Sequence, residues 1–198
     1  MDIWINKCKD DLRVNKDEKI LVFNLNNKNN KSNIKTDLEK LWRSFGIKTI
    51  SNINEDLIII ALSIFAVDKR ISRSLFLDGW TREINISIPV IEIEKLNNVK
   101  MDLERMLGFL SGDKWNISFR KTTEKFRGNK VNTHNVITNN DFDCVSLFSG
   151  GLDSFSGAIK LLEQNKKTFF VGFKEYGLLE KRQIKIYDFL ILFINGAY

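Results

Sequence analysis

An α/β and α+β protein in two parts is what the sequence predicts, and three observations carry that expectation. Over residues 1–140, strand-like alternation and helix-like periodicity follow one another in irregular order. A polar stretch with no period, 121–140, then interrupts them. From residue 141 the order becomes strand, glycine turn, helix, strand, helix, the pattern of parallel crossover units. The expected domains are an α+β N-terminal domain at 1–140, with a polar linker at its end, and the beginning of a parallel α/β sheet at 141–198.

Residues 19–25 predict a strand from their β-branched and aromatic content, and the Asn/Lys-rich segment 26–33 a loop. Leu38, Leu41, Trp42 and Phe45 recur at helical spacing, so 34–45 predicts a helix with Gly46 at its C′ position. Asn54 offers an N-cap, with Glu55 and Asp56 in the first turn of a second helix running to about Lys69. This helix is apolar almost all round from Leu57 to Val67, which predicts burial. Asp78-Gly79 signals a turn. Residues 80–91 then alternate, with Ile84, Ile86 and Ile88 on one face and Pro89 near the end of the strand. A third helix is expected at 99–110, with Met101, Leu103, Met106, Leu107 and Leu110 inward. Residues 115–120 read as another alternating strand. Beyond the linker the expected elements are strands at 143–148 and 168–173 and helices at 153–164 and 180–194.

Of the 198 residues, 43% are hydrophobic and 28% charged, the proportions of a soluble globular protein. A net charge of +6 suits an anionic ligand, either a nucleotide or RNA. Cys8 and Cys144 lie far apart without a CxxC pair, which argues against a zinc site and a disulfide framework and fits a reducing cytoplasm. No signal peptide is visible, and the longest apolar runs are too short to span a membrane.

The chemistry concentrates in Ser149-Gly150-Gly151-Leu152-Asp153-Ser154, between an apolar strand and an amphipathic helix. Glycines let the backbone approach a bulky anion and adopt φ values closed to other residues. Successive N–H groups then form an anion-binding concavity at the positive end of the following helix. Ser149 and Ser154 add hydroxyls. This motif resembles the pyrophosphate loop of the ATP pyrophosphatases, which adenylate a substrate and release pyrophosphate. No lysine-bearing G-x-x-x-x-G-K-[ST] loop occurs.

The longer stretch 147–158 (LFSGGLDSFSGA), with Phe173-Lys174-Glu175-Tyr176-Gly177 after the next strand, is similar to the 7-cyano-7-deazaguanine synthase family, QueC. The sequence departs from that family in the inserted Lys174 and in Leu178, where a Gln usually follows Tyr-Gly; Gln183 is the nearest candidate. The N-terminal part resembles the extension of QueC-like proteins of anti-phage loci, the QatC type. The matching pieces are Val67-Asp68-Lys69, Asp78-Gly79-Trp80-Thr81-Arg82-Glu83, Ile88-Pro89-Val90, and 109–115 running into Ser118-Phe119-Arg120.

The resemblance implies a pyrophosphate-loop (adenine nucleotide α-hydrolase-like) sheet, with ATP and Mg²⁺ as ligands. It implies an adenylating ligase that acts on the carboxylate of a deazaguanine and joins it to ammonia or, in defence-type relatives, to a partner protein of the same locus. Phe148, Ser149, Gly150, Gly151, Leu152, Asp153, Ser154 and Phe173 become the nucleotide-site candidates, with Asp153 and Ser154 the catalytic ones. Asp153 caps the helix or helps hold Mg²⁺; Phe148 and Phe173 flank adenine or, for Phe173, pack in the core. Two alternatives stay open: a base-modifying enzyme acting on tRNA with the same loop, and a non-catalytic nucleotide-binding subunit. Family members carry about five strands in this sheet, so the chain is expected to be the N-terminal part of a longer protein. The family's four-Cys zinc site falls beyond its end.

Other candidates have plainer readings beside them. Trp80 and Arg82 could contact a substrate or partner, or form an aromatic–cation pair at a turn. His134 falls in the polar linker and reads as solvated. Cys144 reads as a small strand hydrophobe. Lys121, Lys125, Arg127 and Lys130 around Phe126 could track RNA or be a solvated segment.

Overall fold

The structure is a computed structural model that describes residues 1–7, 13, 20–25, 34, 36, 50–126, 142–173 and 177–194. The expected loop at 26–33, most of the expected helix at 34–45, Cys8, His134 and the segment 174–176 lie outside the described residues. The chain divides into two compact units, Met1–Val136 and Ile137–Tyr198.

In the first unit, β1 (Asp2–Asn6), β2 (Ile20–Asn24), β3 (Glu83–Val90) and β4 (Lys114–Lys121) form one sheet in the order β2-β1-β3-β4. All three pairings are parallel. The α+β expectation is therefore corrected to α/β: Asp2–Asn6, too short to stand out as a strand in the sequence, takes the interior place between β2 and β3. Parallel order also puts helices in the connections. These are α1 (Asn52–Arg70), α2 (Ile93–Asn98) and α3 (Lys100–Ser111).

Alternation along β3 carries the core. Ile84, Ile86 and Ile88 are buried with Ile3, Ile5, Trp115 and Ile117 from the other strands, against Ile59, Ile60 and Val67 of α1 and Leu96 of α2. Pro89 sits in an interior strand without breaking it, and the register explains why. The β1–β3 pairing ends at Trp4↔Ser87, so no ladder bond is asked of the proline. The Ile5 carbonyl, which an N–H at position 89 would have met, accepts instead from the Arg120 guanidinium at 2.8 Å. The same guanidinium donates to Ser87 Oγ at 2.7 Å and lies 3.5 Å over the Trp4 ring.

Helix limits and faces depart from expectation in three places. The cap of α1 is Ser51, whose Oγ accepts the Asn54 N–H at 3.3 Å, so the helix starts before Asn54. Its apolar circumference is not wholly buried: Leu57 and Phe65 are about half exposed, because one face alone meets the sheet. In α3, Met101, Met106 and Leu110 are exposed, and the stripe that leans on the core is Leu103 and Leu107. Between them Glu104 accepts the Ile117 N–H of the edge strand β4 at 2.8 Å, and a helix on a sheet edge buries a narrow stripe.

Two buried charge groups hold this unit. At one, Glu55 lies 2.8 Å from the Lys7 ammonium and accepts the Phe126 N–H at 2.8 Å, so the chain is still anchored at Phe126, within the expected linker. The neighbouring Asp56 carboxylate accepts the N–H groups of Ile91 and Glu92 at 2.8–2.9 Å. Burial raises its pKa above 3.8 despite those bonds. At the other, Arg82 is buried rather than paired with a ring. It binds the Asp113 carboxylate at 2.5 and 3.0 Å, Asp68 at 2.5 Å and the Ile71 carbonyl at 2.9 Å.

The second unit contains β5 (Cys144–Leu147), α4 (Leu152–Glu163), β6 (Thr168–Val171) and α5 (Gly177–Ile194). β5 and β6 pair in parallel from Cys144↔Thr168 to Leu147↔Val171. A small core gathers Phe148, Ala158 and Leu190.

Candidate functional site: the Ser149–Ser154 turn

The turn leaves the C-terminal end of β5 and delivers the chain into α4, the edge of a parallel sheet where ligands of open α/β folds bind. Of its two glycines, only Gly150 needs to be glycine for conformation, with φ +78°. A Cβ there would also stand 3.3 Å from Gln183 Cγ and 3.5 Å from Ile186 Cδ1. Gly151 is extended, φ −87° and ψ 169°, and caps α4 without a side chain. The first bond of the helix runs from the Phe155 N–H to the Gly151 carbonyl at 3.0 Å. The N–H groups of Leu152, Asp153 and Ser154 therefore precede the helical ladder and face outward as donors.

The two serines close the turn on itself. The Gly151 N–H donates to Ser149 Oγ at 3.3 Å, Ser149 Oγ donates to Ser154 Oγ at 3.1 Å, and Ser154 Oγ donates to the Gly151 carbonyl at 2.9 Å. Asp153 is exposed, and among the described residues its carboxylate has no hydrogen-bonding or ionic partner, so the capping role expected for it is not taken. It lies in the first turn of α4, where a negative side chain opposes the positive helix end.

Gln183 contributes what the sequence alone did not resolve. Its side-chain amide donates to the Ser149 carbonyl at 3.1 Å and to the Phe173 carbonyl at 3.3 Å. One residue of α5 thus ties together the segments leaving β5 and β6. Room for it is kept by Gly172, where a Cβ would come 3.0 Å from Gln183 Oε1. The sequence signal for it is its place as the nearest glutamine after Tyr176-Gly177.

The two aromatic candidates exchange places. Phe148 is 4% exposed, edge-on to Phe170 at 5.5 Å and to Tyr187 at 6.4 Å. It packs beneath the turn and cannot flank a base, because its position directly after β5 points it into the small core. Phe173 is 61% exposed at the strand edge. Leu152 is also exposed, and with Gly150, Gly151, Phe155, Ile186 and Phe189 it borders an open hollow of about 500 Å³, with Lys185 at its rim.

Cys144 is half-buried, its Sγ 3.3 Å from Thr168 Oγ1. Among the described residues no three His, Cys, Asp or Glu side chains come together as a metal-binding group. No described helix is long and apolar enough to cross a membrane. Comparisons with protein-family models, with curated proteins and with solved structures find no match to this chain.

Proposed function

We propose that the Ser149–Ser154 turn binds the phosphates of ATP, and that the chain is the nucleotide-binding part of an adenylating ligase of the QueC-like class. The observation that carries this reading is the left-handed Gly150 followed by free helix N–H groups at the C-terminal edge of a parallel strand pair. That arrangement offers oriented donors to an anion without cost of rearrangement. Adenylation expels pyrophosphate, and donors fixed in advance stabilise the charge that grows on it.

Mg²⁺ fits the same place. Asp153, exposed in the first turn of α4, would hold it, since Mg²⁺ takes one or two carboxylates together with substrate phosphates. The ion would supply charge neutralisation of the phosphates. Within the chain, Leu152, Asp153 and Ser154 N–H groups bind phosphate oxygen, Ser149 and Ser154 hold the shape of the turn, Gln183 braces it, and Phe173 offers a face to the base. The deazaguanine carboxylate as acceptor, a partner protein as its destination, and a role in anti-phage defence rest on the sequence resemblance.

A second reading, a nucleotide-binding subunit without turnover of its own, is favoured by one observation. Val145 and Leu147 of the two-stranded sheet are 68% and 78% exposed, an apolar face that a helix layer of a larger α/β fold would cover. One experiment separates the two. The protein is incubated with ATP and Mg²⁺, with and without a carboxylated deazaguanine and candidate partner proteins, and ATP binding and pyrophosphate release are measured. Release that depends on the acceptor supports the ligase; binding without release supports the subunit; absence of nucleotide binding overturns both. Asp153→Ala is expected to weaken ATP binding by about tenfold, on the scale of one charge-assisted contact, and Ser149→Ala to weaken it by about fivefold through loss of the bonds that shape the turn.

A further inference from the structure

We propose that the loop between α1 and β3, together with the last turn of α3, is a docking face for a second copy of this chain. Five large apolar side chains are held out in water there. Leu75 is 65% exposed, Leu77 108%, Trp80 74%, Phe109 90% and Leu110 70%.

The loop that displays three of them is built, not loose. The Phe76 N–H donates to the Arg73 carbonyl and the Gly79 N–H to the Phe76 carbonyl, both at 3.0 Å. Asp78 Oδ1 accepts the N–H groups of Trp80 and Thr81 at 3.0 Å each. Arg73 then fastens the loop to the end of α3. It donates to the Trp80 carbonyl, to the Ser111 carbonyl at 2.7 Å and to the Asp113 carboxylate at 2.8 and 3.2 Å. One guanidinium therefore bridges the segment carrying Leu75, Leu77 and Trp80 to the segment carrying Phe109 and Leu110.

Area and charge favour a second copy as occupant. Side chains of this size and exposure offer on the order of 800 Å², and a stable interface takes about 800 Å² from each partner. The cations beside the patch have partners within the chain, Arg73 in Asp113 and Arg105 in Asp102 at 3.9 Å, and the Asp78 carboxylate is turned to the N–H groups of its own loop. A face whose large side chains are apolar asks no opposite charge of a partner, and can meet its own copy across a two-fold axis.

Sedimentation velocity of the full chain from low to high micromolar concentration tests this. The expected result is a reversible monomer–dimer equilibrium. Leu77→Asp and Phe109→Asp should each weaken it by at least about tenfold with unchanged far-ultraviolet circular dichroism, since neither side chain supports the fold. Val145→Asp, on the other exposed apolar strand surface, should leave it intact. A wild-type chain that stays monomeric throughout overturns the proposal. So does an association that survives both loop variants or is lost in Val145→Asp.

Discussion

Gly150 is the residue on which the shape of the turn depends. Any side chain at φ +78° is strained, and this one would also press on Gln183. The strain is about 1–2 kcal/mol before the contact is counted. Gly150→Ala is therefore expected to lower ATP affinity by about tenfold or more. Gly151→Ala, in an extended conformation with Ser149 Oγ at an ordinary 3.5 Å, should leave it within a few-fold. Calorimetric titration of both variants checks the contrast, and equal losses would remove the conformational argument. At this scale the sequence was readable where a residue type has one dominant use: paired glycines after an apolar run mark a turn that must bend. It was less readable where a role depends on what the fold brings together: Gln183 stood out only as the glutamine nearest to Tyr176-Gly177, and its hold on both Ser149 and Phe173 comes from the fold. Phe148 and Phe173 show the same limit, since one position along the chain decides which ring is buried.

Among elements, β3 was the most legible, because Ile84, Ile86 and Ile88 alternate without exception and all three are buried. β1 was the least: five residues, Asp2–Asn6, carry too little pattern to be seen, yet they occupy an interior position. The face of α3 was misjudged because helical spacing identifies a stripe and leaves its width open, and a sheet edge accepts only Leu103 and Leu107. The start of β3 depends on Arg82. Its side chain satisfies Asp113, Asp68 and a backbone carbonyl of the segment after α1. Removing one partner of a buried pair strands the other charge, at a cost of about 3–5 kcal/mol. Arg82→Ala should lose stability of that size in urea denaturation; a loss under about 1 kcal/mol would mean the network behaves as a surface pair.

For the molecule as a whole, two buried carboxylates of the first unit pull its pH dependence in opposite directions. Burial pushes the Asp113 carboxyl up, but the hydrogen bonds and charge of Arg82 outweigh it and bring the pKa below 3.8. A carboxylate lowered on folding adds stability that is full above its unfolded pKa and is lost as pH falls through the folded value. Asp56 is raised instead, chiefly by burial. Its contribution is full below 3.8 and is lost as pH rises through its higher folded value. Urea midpoints measured from about pH 3 to about pH 7 should therefore show an acid limb that shrinks in Asp113→Asn. In Asp56→Asn, stability relative to the wild type should be better at neutral pH than in acid. An acid limb unchanged in Asp113→Asn would contradict the first assignment. The polar stretch at 121–140 has no period, yet the chain remains anchored as far as Phe126, and the two compact units meet in sequence at Val136 and Ile137. Parallel order in the first unit was not legible, since it depends on which strands become neighbours rather than on any one of them.

Pro89 has a mechanical consequence. By leaving the Ile5 carbonyl without a ladder donor, it lets Arg120 reach across β3 to β1. The edge strand is thereby clamped at its C-terminal end to a strand it does not adjoin. Pulled from that end, β4 cannot unzip from β3 one rung at a time: the first step must also break the guanidinium's hold on Ile5, Ser87 and Trp4. Tension there is shared by three strands at once, so the first step of peeling this edge is the costliest.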